Sequence, residues 1–413
     1  MTAKRVLVIN VDEFMLHFLL LKLSSTGAEI SHSRTVRINK NNKDFLLSEY
    51  ILRVLSLWGK EIGIALVKEM VPLVPQVGKN GVDKILFFSK DKEDGLQTIS
   101  RNIFTSENDV QREGLERVSR LIKFENLMLF KFDLNTIHII SYRKNSQGVL
   151  KVVAENKELS VDTVIRSNEF FQNLSDFSYE SSKAIDLAVN NLYAPLYKCT
   201  SYEGVLPEYI ASTLRLSHFI DCKKLNLKDF GQGNIRNNLL VISGSQLRLN
   251  DNLPLFLLSI LSVFGMSGNF TVCSDRFGFF DTLQRQKVPF LTEKVLLRVL
   301  LEFWGSVVVV DNKKKSVLDE VVARVEVRDG DIERQVIPMF GKILNFTFLE
   351  KGDITIEPNE KFFIRGAERK AHYTDMTGNL VIDARSKPSS ENFRMYDKKD
   401  LLNSWLKGIG AIR

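Results

Sequence analysis

Hydrophobic positions along this chain follow two rhythms. Short apolar runs open it. "KRVLVINV" from Lys4 reads as a buried strand, "FMLHFLLLKL" from Phe14 as a second, and, after the turn "SSTGAE", the alternating "ISHSRTVRI" as a third. The spacing then becomes helical. Leu46, Leu47, Tyr50, Ile51, Val54, Leu55, Trp58 and Ile62 line one face, and Pro72 closes the helix. "DKILFFSK" reads as a strand, and "EDGLQTISRNIFT" and "NDVQREGLERVSRLIKF" as helices. The same order then recurs. "LMLFKFD", "NTIHIISYRK" and "VLKVVAEN" are three strands, followed by a helical stretch over 162–220. "NLLVISGS" is a strand into a small-residue turn, "NLPLFLLSILSVF" a helix and "GNFTVCSD" a strand.

From Ser306 the period is two. "SVVVVD", "VVARVEVRDGD", "ILNFTFLEKGD", "ITIEPNE" and "LVIDARS" alternate between Gly-Asp and Pro-Asn turns. That pattern predicts an all-β module over 306–385, a sandwich or small barrel. Its expected core includes Val308, Val310, Val325, Val327, Ile354, Ile356, Phe363, Val381 and Ile382. Val381 and Ile382 are adjacent and must face opposite sides, so a neighbouring element must cover one of them. "SKPSSEN" reads as a linker, and "KDLLNSWLKGI" as a short helix with Leu401, Leu402, Trp405 and Leu406 on its apolar face. The predicted organisation is one lobe over 1–125, a second over 126–300, the β module, and a linker with a helix over 386–413.

Bulk properties exclude several classes. The 413 residues are 44% hydrophobic and 26% charged, an ordinary soluble composition. The longest apolar run, Leu253–Met266, is shorter than the ~20 residues of a spanning helix. Val11-Asp12-Glu13 interrupts the one candidate signal peptide. Cys199, Cys222 and Cys273 form no CxxC pair, which fits a reducing compartment and a cytoplasmic address. The net charge of +7 is scattered over turns without interleaved aromatics, which disfavours nucleic acid as partner.

Three segments together carry a resemblance: the opening strand–turn–strand, "LLVISGSQLRLNDNLPLFLLSILSVFGMSGNFTVCSDRFGFFDTL" at 239–283, and "NLVIDARSKP" at 379–388. In order and content the chain resembles the glutamate mutase L (component L) family of actin-like ATPases over Arg5 to Pro388. The resemblance implies an α/β fold of two actin-like (ribonuclease H-like) lobes followed by the all-β module. It also implies a role beside adenosylcobalamin-dependent mutases, in reactivation or assembly.

In such ATPases two hairpins of the form Asp-x-Gly-x-Thr hold phosphates and Mg²⁺, because only glycine lets the backbone approach closely. Matched to that form, Asn10 stands at the aspartate position, Asp12 at the glycine and Phe14 at the threonine. Asn10 lacks the charge for hydrated Mg²⁺. Asp12 would repel phosphate by about 4 kcal/mol at ~4 Å and an effective dielectric near 20. The second hairpin keeps Asp133, has Asn135 for glycine, and then Thr136. In the adenosine loop "ISGSQL", Gly244 remains and Ser245 stands on a family glycine. Asp133 alternatively caps a turn, and Gly244 alternatively serves close packing. His17 and His138 occupy equivalent places in the two hairpins.

These residues predict a non-hydrolysing scaffold or chaperone-type factor. No cofactor is expected, with ATP and Mg²⁺ at most weakly bound. The expected partner is a protein, either a mutase or a membrane-assembly protein as for pilus-type adaptors. The competing reading is an active ATPase serving as reactivation factor. Trp405 and Leu402 are the candidate interaction residues, with docking of their helix on its own chain as the alternative.

Overall fold

A computed structural model describes residues 4–11, 15–23, 28–37 and 84–89 of one unit. It also describes Leu301 of that unit and, of a second, 124–133, 136–144, 150–158, 190, 202–217, 219, 230–231, 235–276, 302–313, 316–367, 369–385 and 398–412. The first unit comprises Met1–Ile122 with Phe277–Leu301, and the second Lys123–Arg276 with Glu302–Arg413. The helices expected between 44 and 74, between 93 and 123 and over most of 162–201 lie outside the described residues, as do Asp12, Phe14, Asn135 and the linker from 386.

In the first unit, β1 (Lys4–Val11), β2 (Met15–Leu23) and β3 (Ala28–Arg37) form an antiparallel meander. β4 (Lys84–Ser89) joins the other side of β1 in parallel, giving the order β3-β2-β1-β4. The second unit repeats the plan. β5 (Asn126–Phe132), β6 (Thr136–Lys144) and β7 (Leu150–Glu158) form the meander. β8 (Asn238–Ser243) lies parallel to β5, and β9 (Gly268–Asp275) parallel to β8. The order β7-β6-β5-β8-β9 is the ribonuclease H-like order.

Among the described residues, three helices lie on this sheet. α1 (Tyr202–Ser217) packs on α3 (Leu253–Phe264), and the short α2 (Ser245–Asn250) follows β8. The apolar run predicted as a buried helix is α3. Asn252 caps it by accepting from the Leu255 N–H at 3.2 Å, and Gly265 ends it in the left-handed region, φ 52°. Phe130, Phe132, Ile242, Phe256, Leu257 and Ile260 form the centre of the core between sheet and helices.

The β-rich segment differs from its expectation. Its described elements are strands, and they do not stand apart. β10 (Glu302–Asn312) pairs antiparallel with β9 and parallel with β15 (Ala371–Asp383). β13 (Ile343–Pro358), β11 (Ala323–Asp329) and β12 (Ile332–Val336) continue outward, and β14 (Phe362–Ile364) pairs with the end of β10. One sheet of eleven strands results. The reason lies in β10. Val307 and Val309 enter the core that α3 covers, whereas Val308 and Val310 enter a second core with Val325, Ile354 and Ile356. A strand that is apolar on both faces is buried on both, so it joins layers.

Val381 and Ile382 divide between the same two cores. Eight of the nine expected core residues are buried, and Phe363 is half-buried between buried Phe362 and Ile364. The cover over Val381 includes α4 (Lys398–Ile409), whose Leu402, Leu406 and Ile409 lie in that core.

Candidate functional site

The C-terminal ends of three parallel strands meet where an open α/β sheet places ligands. β5 ends at Asp133, β8 at Ser243-Gly244-Ser245, and β9 at Asp275. Four of these five residues carry polar side chains, and all four are buried.

Asp133 is held by its own chain. Its backbone N–H donates to the Thr136 carbonyl at 3.0 Å, closing the turn. Its Oδ1 accepts from the Ser245 N–H at 3.2 Å and from Ser245 Oγ at 3.5 Å. Its Oδ2 lies 3.8 Å from His138 Nε2, and that nitrogen is also 3.2 Å from Thr136 Oγ1. Arg215, buried at the end of α1, donates to the Asp133 carbonyl at 2.7 Å. Burial pulls this guanidinium down to about 10, and Asp133 opposes the shift. On the far strand, Ser243 Oγ donates to Asp275, 3.2 Å from Oδ2 and 3.3 Å from the carbonyl.

Gly244 has φ 111°, and a β-carbon there would stand 2.2 Å from the Phe132 carbonyl oxygen. The missing side chain thus makes room for the neighbouring strand end. Backbone atoms of Phe132 occupy the space where a side chain at position 244 would stand. Among the described residues, no group of three or more His, Cys, Asp or Glu side chains could hold a metal ion.

The strand registers change one assignment made from spacing. Asn10 pairs with His17, and Lys131 pairs with His138. Asn10 is therefore the counterpart of Lys131, not of Asp133. Counted along the sequence from these pairs, Asp133 corresponds to Asp12, since each lies five residues before its histidine. By that count Asp12, which lies outside the described residues, rather than Asn10 takes the aspartate position of the first hairpin.

A second polar cluster escaped the sequence reading, although its motif had been singled out. After β15, Asp383 Oδ1 accepts the backbone N–H of Arg385 at 3.0 Å, a local turn that folds the guanidinium back over the carboxylate. Arg385 Nε and Nη2 then grip Oδ1 and Oδ2 at 2.9 and 2.7 Å. Arg385 Nη1 donates to Ser262 Oγ at 2.9 Å, which also accepts from Tyr209 OH at 3.0 Å. The guanidinium lies 4.9 Å from the centre of the Trp405 ring, and Trp405 Nε1 donates to the Gly341 carbonyl at 2.7 Å. "VIDAR" thus joins β15, α1, α3 and α4. Trp405 is half-buried in this cluster and Leu402 is buried in the core, so α4 docks on its own chain.

No family model matches the chain, and no curated protein matches it. Among solved structures it is similar to the ethanolamine utilization protein EutJ from Carboxydothermus hydrogenoformans, at 8% identity over 67% of this chain and 87% of that one, TM-score 0.33. It is also similar to the Aquifex aeolicus member of the Ppx/GppA family, at 10% identity over 64% and 92%, TM-score 0.25. MreB5 of Spiroplasma citri bound to AMPPNP matches at 9% identity over 68% and 94%, TM-score 0.27. These neighbours are actin-like ATPase fold proteins. The fold rests on the strand order present in both units.

Proposed function

We propose that this chain is a non-hydrolysing scaffold of actin-like fold that acts by binding a protein partner, a cobalamin-dependent mutase or a membrane-assembly protein. The observation that carries this reading is the closed junction at Asp133. The Ser245 N–H points at the Asp133 carboxylate, and Gly244 lies against the Phe132 backbone. Backbone amides committed to a carboxylate are not presented to a phosphate. Neither hairpin offers the glycine of the family pattern, with Asp12 or Phe14 in the first and Asn135 in the second.

The test is the melting temperature of the full chain with and without Mg²⁺–ATP, together with phosphate release. The scaffold reading expects no shift and no turnover above background. A rise of several degrees requires a dissociation constant well below the ATP concentration used, and refutes it.

One observation favours the alternative, an active ATPase serving as reactivation factor for an adenosylcobalamin-dependent mutase. By strand register both hairpins keep an aspartate, Asp12 and Asp133. In that case Asp133→Asn abolishes a measurable turnover.

A further inference from the structure

A line of polar side chains crosses the large sheet where β5 and β8 begin. Arg143 of β6 donates from Nε to Asn126 Oδ1 of β5 at 3.2 Å, and Asn126 Nδ2 donates to Asn238 Oδ1 of β8 at 2.8 Å. Asn238 Nδ2 donates to the backbone carbonyl of Asn269 on β9 at 2.9 Å, and Asn269 Nδ2 donates to Tyr373 OH of β15 at 2.9 Å. The strand registers set the first three residues side by side, since Asn126 pairs with both Arg143 and Asn238. Arg143 and Asn126 are half-buried, whereas Asn238, Asn269 and Tyr373 are buried. The line therefore starts near solvent and ends in the second core, where Tyr373 lies with Val308, Ile354 and Ile356.

Every bond runs in the same sense, and the groups at both ends fix that sense. A guanidinium only donates, so Asn126 must offer it Oδ1 and turn Nδ2 toward β8. Asn238 must then meet that Nδ2 with Oδ1 and turn its own Nδ2 toward β9. The backbone carbonyl of Asn269 only accepts, which suits this arrangement and not its reverse. Flipping Asn126 would set donor against donor at Arg143, and flipping Asn238 would set acceptor against acceptor at Asn269. A buried amide left unpaired costs more than its bond returns, and head-to-tail bonds polarise one another. These amides hold or break as a group.

We propose that this line is a coupling device. It transmits a change at Arg143, near the end of β6, to Tyr373 in the second core, so that the ribonuclease H-like strands and the β-rich segment respond together. In the sheet order β5, β8, β9 and β10 lie between β6 and β15, a separation of about 24 Å at the usual strand spacing. Substitutions that far apart with no shared partners act independently, to within about twofold in an equilibrium constant. A continuous line of bonds breaks that independence, because a link already lost at one end lowers the worth of the link at the other.

The test needs neither nucleotide nor partner. Amide hydrogen exchange is followed in the full-length chain as wild type, Arg143→Met, Tyr373→Phe and the two together, with the β13 amides as reporters of the second core. Tyr373→Phe should lower their protection, and by a factor at least about threefold smaller in the Arg143→Met background than in the wild type. Tyr209→Phe is the control. It loses a bond to Ser262 that is no part of the line, and should act by the same factor in both backgrounds. Circular dichroism checks the fold of each variant. Asn126→Ser breaks the line one residue further in, and should replace Arg143→Met in the cycle with the same result. The proposal is overturned if Tyr373→Phe acts by the same factor whether or not the line is broken at Arg143 or Asn126. It is overturned equally if Tyr209→Phe shows the same dependence on Arg143, since the coupling would then belong to the whole sheet and not to the line.

Discussion

Replacing Arg385 by methionine removes the centre of the buried cluster and keeps its length. The ion pair it breaks is almost dry, with Arg385 and Asp383 side chains 5% and 6% exposed. Two charge-assisted hydrogen bonds, at 2.9 and 2.7 Å, disappear, and Asp383 keeps the Arg385 backbone N–H. Stranding a buried carboxylate costs about 3–5 kcal/mol. The lost stacking on Trp405 adds about 0.5–2 kcal/mol. The two are coupled, so about 4 kcal/mol is the expected total, or roughly 10 °C in melting temperature for a unit of this size. The decisive comparison is a double-mutant cycle by urea unfolding with Arg385→Met, Asp383→Asn and the pair together. With both partners neutral no charge is stranded, so the double variant should be more stable than Arg385→Met alone. If the double loses the sum of the singles, or if Arg385→Met costs under about 1 kcal/mol, the pair is not an interlocked buried bridge.

Gly244→Ala must fit a β-carbon 2.2 Å from the Phe132 carbonyl at φ 111°, so it should cost about 3 kcal/mol or more, read as a fall in urea midpoint; an unchanged midpoint contradicts the close approach. Glu208 is buried with Oε2 unpartnered, and burial pushes its carboxyl from 4.5 up to about 8. The folded state then holds a proton that the unfolded state releases, so its contribution falls as pH rises from about 4.5 to about 8, by at most about 1.4 kcal/mol per pH unit. Glu208→Gln should flatten that slope and stabilise the protein near neutral pH; identical pH profiles for the two proteins would count against the burial. Deleting residues from Ser390 onward removes Leu402, Leu406 and Ile409 from the core, and a truncated chain that melts with the wild type would show α4 to be dispensable.

The fold was legible where burial is one-sided. Val325 and Val327 are buried and Arg324, Glu326 and Arg328 exposed, so alternation gave both the strand and its inner face. It was less legible at β10, because a fully apolar run shows a strand without showing how many layers it serves. Periodicity placed Val308 and Val310 in a core but could not show that Val307 and Val309 belong to another, so a continuous sheet looked like a separate module. At β14 the pattern slipped by one residue. "KFFI" offers two adjacent phenylalanines, and pairing with the end of β10 turns Phe362 inward.

At the candidate site, the alignment of the first hairpin depends on whether it is counted from its apolar run or from its turn. The carboxylate turn and the Ser-Gly-Ser turn do meet at the strand ends, as their places after apolar runs imply. Counting Asp-x-Gly-x-Thr from the end of "VLVI" puts Asn10 at the aspartate, whereas a hairpin is registered by its turn. The histidines supply the turn-based count. His17 and His138 are cross-strand partners of Asn10 and Lys131, and counting back five residues from each reaches Asp12 and Asp133. With that register a carboxylate survives at both turns and what the chain lacks is glycine. Retained acids can organise a cation, while side chains at the glycine positions keep phosphate from approaching the backbone. Restoring glycine at Phe14 and Asn135 together therefore separates the two functional readings. If Mg²⁺–ATP then raises the melting temperature where it did not before, the missing glycines are what closed the site, and the scaffold reading gains its cause. If the double variant stays silent to nucleotide, the closure lies elsewhere, at the junction of Asp133 with Ser245.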